Sequence, residues 1–503
     1  MDERVYDVVV VGAGNAAFCA AHAARERGAR VLMLEKAPRE WAGGNSYFTA
    51  GAIRTTFAGL DDLRPLLDDL DDERAAATDL APYTPDDFAA DMRRVTEGRC
   101  DPELTAIMVH DAADTIHWLH GLGLRWRLMY DRQSFRVGER HRFWGGLVLG
   151  TVGGGVGLIE QHLAAATASG IEIRYESPAV DLLRDADGGV IGVVCSSPNG
   201  REEIRAGAVV LASGGFEADP RQRAMYLGPN WDVAKVRGTP YNTGEGLQFA
   251  LEAGAQPYGH WSGCHAIAWD AAAPPSGDRA LTNLLSKQSY PIGIVVNREG
   301  RRFLDEGADF RNYTYAKYGA EILKQPGAVA YQLFDAKTEP LLRQDEYTAP
   351  GVSRHQADSV RDLAAQLGLD PTALERTVAE FNAAIEPVPF NPAIKDGKRA
   401  AGIASPKSNW AVPLDTPPYL AFAVTCGITF TFGGVRIDAE ARVLDRAGRA
   451  IPGLHAAGEL VGGLFYHNYP GGSGLTSGAV FGRRAGQTAA AHALAAGRQA
   501  AAS

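Results

Sequence analysis

Gly12-Ala13-Gly14-Asn15-Ala16-Ala17 has the spacing G-x-G-x-x-(G/A), which asks the backbone to turn tightly and admit a phosphate. Gly12 permits the turn, Gly14 lets a pyrophosphate approach, and Ala17 keeps a following helix close to the preceding strand. The N–H groups and dipole at that helix start favour phosphate charge. Glu35, about 20 residues on, is placed to accept ribose hydroxyls, with Lys36 beside it. Arg311, in NREGRRFLDEGADFR, has a planar fork that can bind both oxygens of a carboxylate, and too high a pKa to act as a free base. His265 in GHWSGCHAIAW offers an imidazole, and His467 and Tyr469 in FYHNYPGG offer a further donor and a phenol. Blander readings stand beside these: an ordinary Gly-rich turn, a cap ion pair for Arg311, and a packed polar histidine for His265.

A phosphate loop needs a strand before it and a helix after it. Residues 5–11 (VYDVVVV) read as the strand, 16–27 as an Ala-rich helix and 31–35 (VLMLE) as the next strand, a βαβ unit. The acidic run 61–73 reads as a solvated helix or loop, and 85–122 as helical. A Gly-rich loop leads to a helix over 158–168 and a strand over 171–175, then a hairpin over 190–195 and 203–212 and a helix over 243–254. Residues 258–425 are richer in Tyr, Pro and charge and carry two long helical patterns, whereas 426–503 returns to Gly-rich strands and an Ala-rich helix. The pattern predicts one discontinuous domain, 1–257 with 426–503, and an inserted cap, 258–425.

The 503 residues suffice for several domains and a buried cofactor. A formal net charge of −10, with no Lys/Arg-rich run, excludes a nucleic-acid footprint. Glycine is in excess, 58 residues against a usual share of about 7%, and gathers at 12–14, 43–51, 145–157, 214–215, 427–434 and 458–474. Such clusters suggest a backbone that approaches something closely. Cys19, Cys100, Cys195, Cys264 and Cys426 lie far apart, so no metal site, covalent haem or iron–sulfur cluster is expected. The absence of a basic leader and of a long apolar run points to a soluble, cytoplasmic protein.

WAGGNSYFTAG (41–51), LASGGF (211–216) and GLHAAGELVGG…GGSGL (453–475) resemble the flavoproteins of fumarate reductases and succinate dehydrogenases. The resemblance spans nearly the whole chain. It implies FAD rather than NAD, and an α/β fold: a discontinuous Rossmann-like FAD-binding domain with an inserted α+β capping domain. By matching positions, the phosphate loop supplies Gly12, Ala13, Gly14, Asn15 and Ala16, followed by Glu35 and Lys36. The next loop supplies Gly43, Gly44, Asn45, Ser46, Ala50 and Gly51, and the middle of the chain Val180, Ser213 and Gly214. Glu459 matches the acid that meets the ribityl chain, and Ser473, Gly474 and Leu475 open the helix aimed at the flavin's pyrimidine end. Covalently flavinylated members carry histidine after the GG-loop serine; here Tyr47 follows Ser46, so non-covalent FAD is expected.

DEGADFRNYTYAKYG (305–319), GITFTFGG (427–434) and GGLFYHNYPGGSGL (462–475) are similar to FAD-dependent tricarballylate dehydrogenases. That branch implies hydride transfer from the carbon beside a carboxylate to flavin N5, converting tricarballylate to cis-aconitate. Electrons would pass to a separate acceptor, in that branch a membrane-bound redox protein. Arg311 matches the arginine at the proton-transfer position of fumarate reductases, and His265 lies one residue from a substrate histidine. Other positions depart from the pattern. Phe430 stands for the second substrate histidine, Tyr469 for the substrate arginine, and SKQSY (286–290) for the relay acid and base, so fumarate itself is not the expected substrate. Tyr466, Tyr290, Tyr313, Tyr315 and Tyr318 add hydroxyls, and His467 could add a donor. A tyrosine before PGG also resembles the 3-ketosteroid dehydrogenases, where tyrosines support hydrogen removal next to a ketone. A tyrosinate beside a cation could serve as the base. The alternatives are thus a desaturase or ene-reductase for a cyclic ketone or other carbonyl compound, and a non-catalytic FAD/NAD-binding protein.

Overall fold

The computed structural model describes residues 6–68, 70–197 and 200–502; Val5, read as the first strand residue, lies outside them. β1 (Tyr6–Val11), α1 (Asn15–Glu26) and β2 (Val31–Leu34) form the N-terminal βαβ unit, with Val8↔Val31 to Val11↔Leu34 in parallel register. Val8, Val9 and Val10 have no exposed surface, as expected for a parallel strand covered on both faces. On its other side β1 pairs in parallel with Gly200–Leu211, which pairs in turn with Ala450–Ala456, while Glu172–Arg174 borders β2. One eight-stranded sheet therefore joins early and late parts of the chain.

The final helix, Ser473–Ala502, packs along α1. Gly482 and Gly486 make the close approach possible: a Cβ at 482 would lie 2.5 Å from the Ala16 carbonyl oxygen, and one at 486 would run into that of Ala20. No helix among the described residues is long and apolar enough to cross a membrane.

The second sheet has six strands, with the 17-residue strand Tyr419–Val435 at its centre. It pairs antiparallel with Pro257–Asp270, Val329–Asp335 and Arg354–Ala357, and parallel with Lys235–Val236. Helices Val360–Leu367 and Pro371–Ala383 bury Leu363, Leu374 and Phe381 against it. The boundary read at 257/258 falls at the start of one of these strands, and that at 425/426 inside the longest. The rise in glycine at 427–434 marks close packing rather than the end of an element. A Cβ at Gly427 would lie 2.6 Å from that of Trp269, and one at Gly434 would strike the Leu460 carbonyl oxygen.

Candidate functional site

One elongated cavity runs from the Gly12 loop to Arg311 and Arg343, lined by residues of both sheets and the loops between them. At its first end Gly12 has φ +114°, and a Cβ there would collide with the Ala212 carbonyl oxygen, so only glycine fits. Gly14 precedes α1, and the space beside it is open: a Cβ would meet nothing nearer than Ser46 Oγ at 3.5 Å. Ala13, Asn15 and Ala16 line the cavity there, and Asn15 N–H donates to Ser46 Oγ at 3.1 Å. Glu35 is buried; burial raises its pKa, while the N–H groups of Ala37, Ala13 and Lys36 work the other way. Lys36 Nζ pairs with Glu245 at 2.6 Å. This cradle fits a dinucleotide: an open helix N-terminus for phosphate, then a buried carboxylate for ribose.

Further along, Gly44, Asn45, Ser46, Ala50, Val180, Ser213 and Gly214 line the wall. Asn45 Nδ2 donates to Glu217 Oε1 and to the Thr429 carbonyl, both at 2.6 Å, tying its loop to the second sheet. Glu459 also lines the cavity, with Oε1 accepting from Thr431 N–H at 2.7 Å; burial and neighbouring Glu217 push its carboxyl well up. Gly474 and Leu475 complete this stretch.

Three expected cofactor contacts lie behind the wall. Gly43 and Gly51 have φ +110° and +68° and shape the loop from behind, where a Cβ at 51 would strike Thr151 Oγ1. Ser473 is buried and donates to the Pro470 carbonyl at 2.5 Å, because it opens the last helix from beneath.

The far end forms a chamber. Arg311 is 8% exposed; Nη1 donates to Gln288 Oε1 at 2.6 Å and Nη2 to the Arg132 carbonyl at 2.7 Å. His265 lies with its ring centroid 5.0 Å from that of Tyr315 and 4.8 Å from that of Tyr469, and its Nε2 has no partner. Burial, then the nearby Arg237, holds this imidazole neutral. The Tyr469 and Tyr315 hydroxyls are 2.6 Å apart, and Phe430 stacks on Tyr469 with the ring planes 13° apart.

Two expectations are corrected here. Tyr469 is not poised as a tyrosinate: burial and then Tyr315 push its phenol far up, more than Arg237 and Arg54 pull it down. His467 does not line the chamber. Its φ of +60° turns it away from Tyr469, its N–H donates to His260 Nδ1 at 3.0 Å, and its side chain is 38% exposed. Of the other tyrosines, only Tyr315 reaches the chamber wall. Tyr290 bonds Thr314 at 2.6 Å, Tyr313 bonds Asp91 at 2.6 Å, Tyr318 bonds the Asp305 carbonyl, and Tyr466 lies under Arg99.

The sequence reading missed Arg132, Arg237, Asn283, Asn312 and Arg343, and passed over Gln288 within SKQSY. Arg132 pairs with Asp345 and Glu346, each at 2.7 Å, and Arg343 with Glu346 at 3.2 Å. Arg237 is held by Asn283 and Thr429, and neither it nor Arg311 has a carboxylate within 4.0 Å among the described residues. Most of these residues come from separate elements with no shared motif; Gln288 in SKQSY and Asn312 beside Arg311 lie in segments that carried a signal.

A long dinucleotide cradle opening into a cationic chamber is the architecture of a flavin-dependent oxidoreductase, and the comparisons agree. The profile of a family described as FAD binding domain matches residues 7–475. A fumarate reductase (cytochrome) of Shewanella frigidimarina is 30% identical over 486 residues, spanning 96% of this chain and 77% of that protein. A 4-oxocyclohexanecarboxylate 2-dehydrogenase of Sinomonas cyclohexanicum is 27% identical and covers 96% and 93%. The open conformation of a flavocytochrome c3 fumarate reductase superposes with a TM-score of 0.73 at 29% identity, covering 98% of this chain and 79% of that one. The chain belongs to this FAD-binding family, within the fumarate reductase and succinate dehydrogenase flavoprotein superfamily. It is an FAD-dependent oxidoreductase that acts on carbon–carbon bonds.

Proposed function

We propose that the protein is a dehydrogenase that introduces a C=C bond next to a carboxylate, with tricarballylate as substrate and cis-aconitate as product. The observation that carries this reading is the chamber itself, where Arg237 and Arg311 are buried without a carboxylate partner. Buried guanidiniums of this kind favour an anionic ligand. Bound FAD supplies the hydride acceptor. The chain's own residues then have three tasks: Arg311 orients a carboxylate, neutral His265 with its free Nε2 can accept a proton, and the Tyr469–Tyr315 pair donates hydrogen bonds to substrate oxygen. Electrons leave to a separate acceptor, a membrane-bound redox protein, and the enzyme itself is cytoplasmic. In this reading residues 1–257 and 426–503 hold the cofactor, and 258–425 cap the substrate.

A second reading keeps the chemistry and changes the substrate to a cyclic ketone. Phe430 and Tyr469 line the chamber with Phe432 and Phe465 packed against them, and the name of the Sinomonas relative describes a ring bearing both a ketone and a carboxylate. An anaerobic screen separates the two. Bleaching of the bound flavin by tricarballylate, and not by cyclohexanones, supports the first; the reverse pattern overturns it.

A further inference from the structure

Arg343 precedes the short helix Gln344–Tyr347 and lines the chamber with a side chain 9% exposed. Its Nη1 donates to Gln288 Oε1 at 2.7 Å, the same oxygen that Arg311 uses, and lies 3.2 Å from Glu346 Oε1. Nε and Nη2 have no partner at all. Those two N–H groups share one edge of the guanidinium and point in parallel, the arrangement that meets both oxygens of a carboxylate. Two buried donors without an acceptor are costly, and a ligand that supplies both oxygens relieves them together. The local charge agrees: Arg132, Arg237, Arg311 and Arg343 are set against Asp345 and Glu346, so cations are in excess.

We propose that the Nε–Nη2 edge of Arg343 is a second carboxylate subsite, distinct from the anion position beside Arg311 and Arg237, and that it selects substrates carrying at least two carboxylates. The inference rests on the reading that the chamber takes carboxylates, and goes beyond it by assigning the residue that sets their number. Asn312, whose side-chain amide has no partner on either atom, also lines the chamber and can bond a further substrate oxygen.

The test measures ligand binding by perturbation of the bound-FAD absorbance, with flavin bleaching followed in the same samples. In the wild-type holoenzyme, succinate binds about tenfold or more tightly than succinamate, in which one carboxylate becomes an amide. Arg343→Lys keeps the charge and removes the fork. It weakens tricarballylate by about tenfold or more, while crotonate, with one carboxylate, shifts less than about twofold. Equal affinities for succinate and succinamate, or equal losses for tricarballylate and crotonate, overturn the subsite, and the first comparison needs no variant. The proposed reaction fails separately: polycarboxylates then bind with the stated dependence on Arg343, yet tricarballylate leaves the flavin oxidised. If no polycarboxylate perturbs the wild-type flavin, both proposals fall.

Discussion

The hydroxyls of Tyr315 and Tyr469 meet at 2.6 Å beside the ring of His265, so a phenol pair and a neutral imidazole share one wall of the chamber. Burial keeps the Tyr469 phenol protonated and the His265 imidazole uncharged. The pair therefore acts as a donor to substrate, and His265 as the nearby group free to take up a proton.

Tyr469→Phe retains the ring packing and deletes the donor. Flavin reduction by the best substrate is expected to slow by about 10²–10⁴-fold, with FAD content unchanged. Rapid-mixing anaerobic absorbance at saturating substrate checks it; a wild-type rate would remove Tyr469 from the chemistry.

Arg311→Ala leaves Gln288 and the Arg132 carbonyl without their guanidinium partner and takes a cation from the chamber. The expected loss in kcat/KM is about 30-fold or more, from a charge-assisted contact of about 2–3 kcal/mol. Unchanged turnover and affinity would assign Arg311 to cap architecture alone.

Gly12→Ala cannot be accommodated: φ is +114°, and the new Cβ meets the Ala212 carbonyl just past the adjoining strand. Strain of about 1–3 kcal/mol falls on the phosphate loop itself. The variant should be purified with a lower ratio of flavin to protein absorbance and a lower Tm. A fully loaded variant would show that phosphate binding does not depend on this turn.

Acid precipitation of the holoenzyme should release all of the flavin into the supernatant, since Tyr47 occupies the position after Ser46 and offers no imidazole for a covalent bond. Yellow colour remaining in the pellet would contradict non-covalent binding.

His455 is buried, and burial lowers its pKa to about 3. His22, also buried, is lowered to about 4. In the unfolded chain both take a proton near pH 6.5, so the folded state binds fewer protons below that pH. Each therefore contributes stability that is present above pH 6.5 and is lost as pH falls toward the folded pKa, by at most about 1.4 kcal/mol per pH unit. Urea unfolding at pH 7 and pH 5 measures the slope, which His455→Asn should flatten by close to one proton. An identical slope in the variant would mean that His455 does not contribute.

The phosphate loop was legible because every step of it is local: a valine run, two glycines at fixed spacing and an acid at the end of the next strand. Contiguous strings such as GGNS and LASGG contribute residues to the cavity lining, whereas Gly43, Gly51 and Ser473, at the back of turns, do not line it. The chamber was harder to read. Arg132, Arg237 and Arg343 come from a short helix, the end of a two-residue strand and a helix start, and only the tertiary fold brings them together. His467 failed for the opposite reason. Two residues from Tyr469 in sequence, it is turned outward by a single left-handed residue, which spacing does not reveal. The domain boundary at 425/426 followed composition, whereas the strand Tyr419–Val435 follows hydrogen bonding.

The seam where Gly482 and Gly486 meet α1 carries a consequence for folding. The helix Ser473–Ala502, which shapes the far end of the cofactor cradle, seats on α1, far from it in sequence. The phosphate loop forms from local sequence, whereas the sheet around it is completed by the strand Ala450–Ala456 and covered by the helix Ser473–Ala502. The cofactor cradle thus closes through contacts between segments distant in the chain, so its assembly is a non-local step of folding.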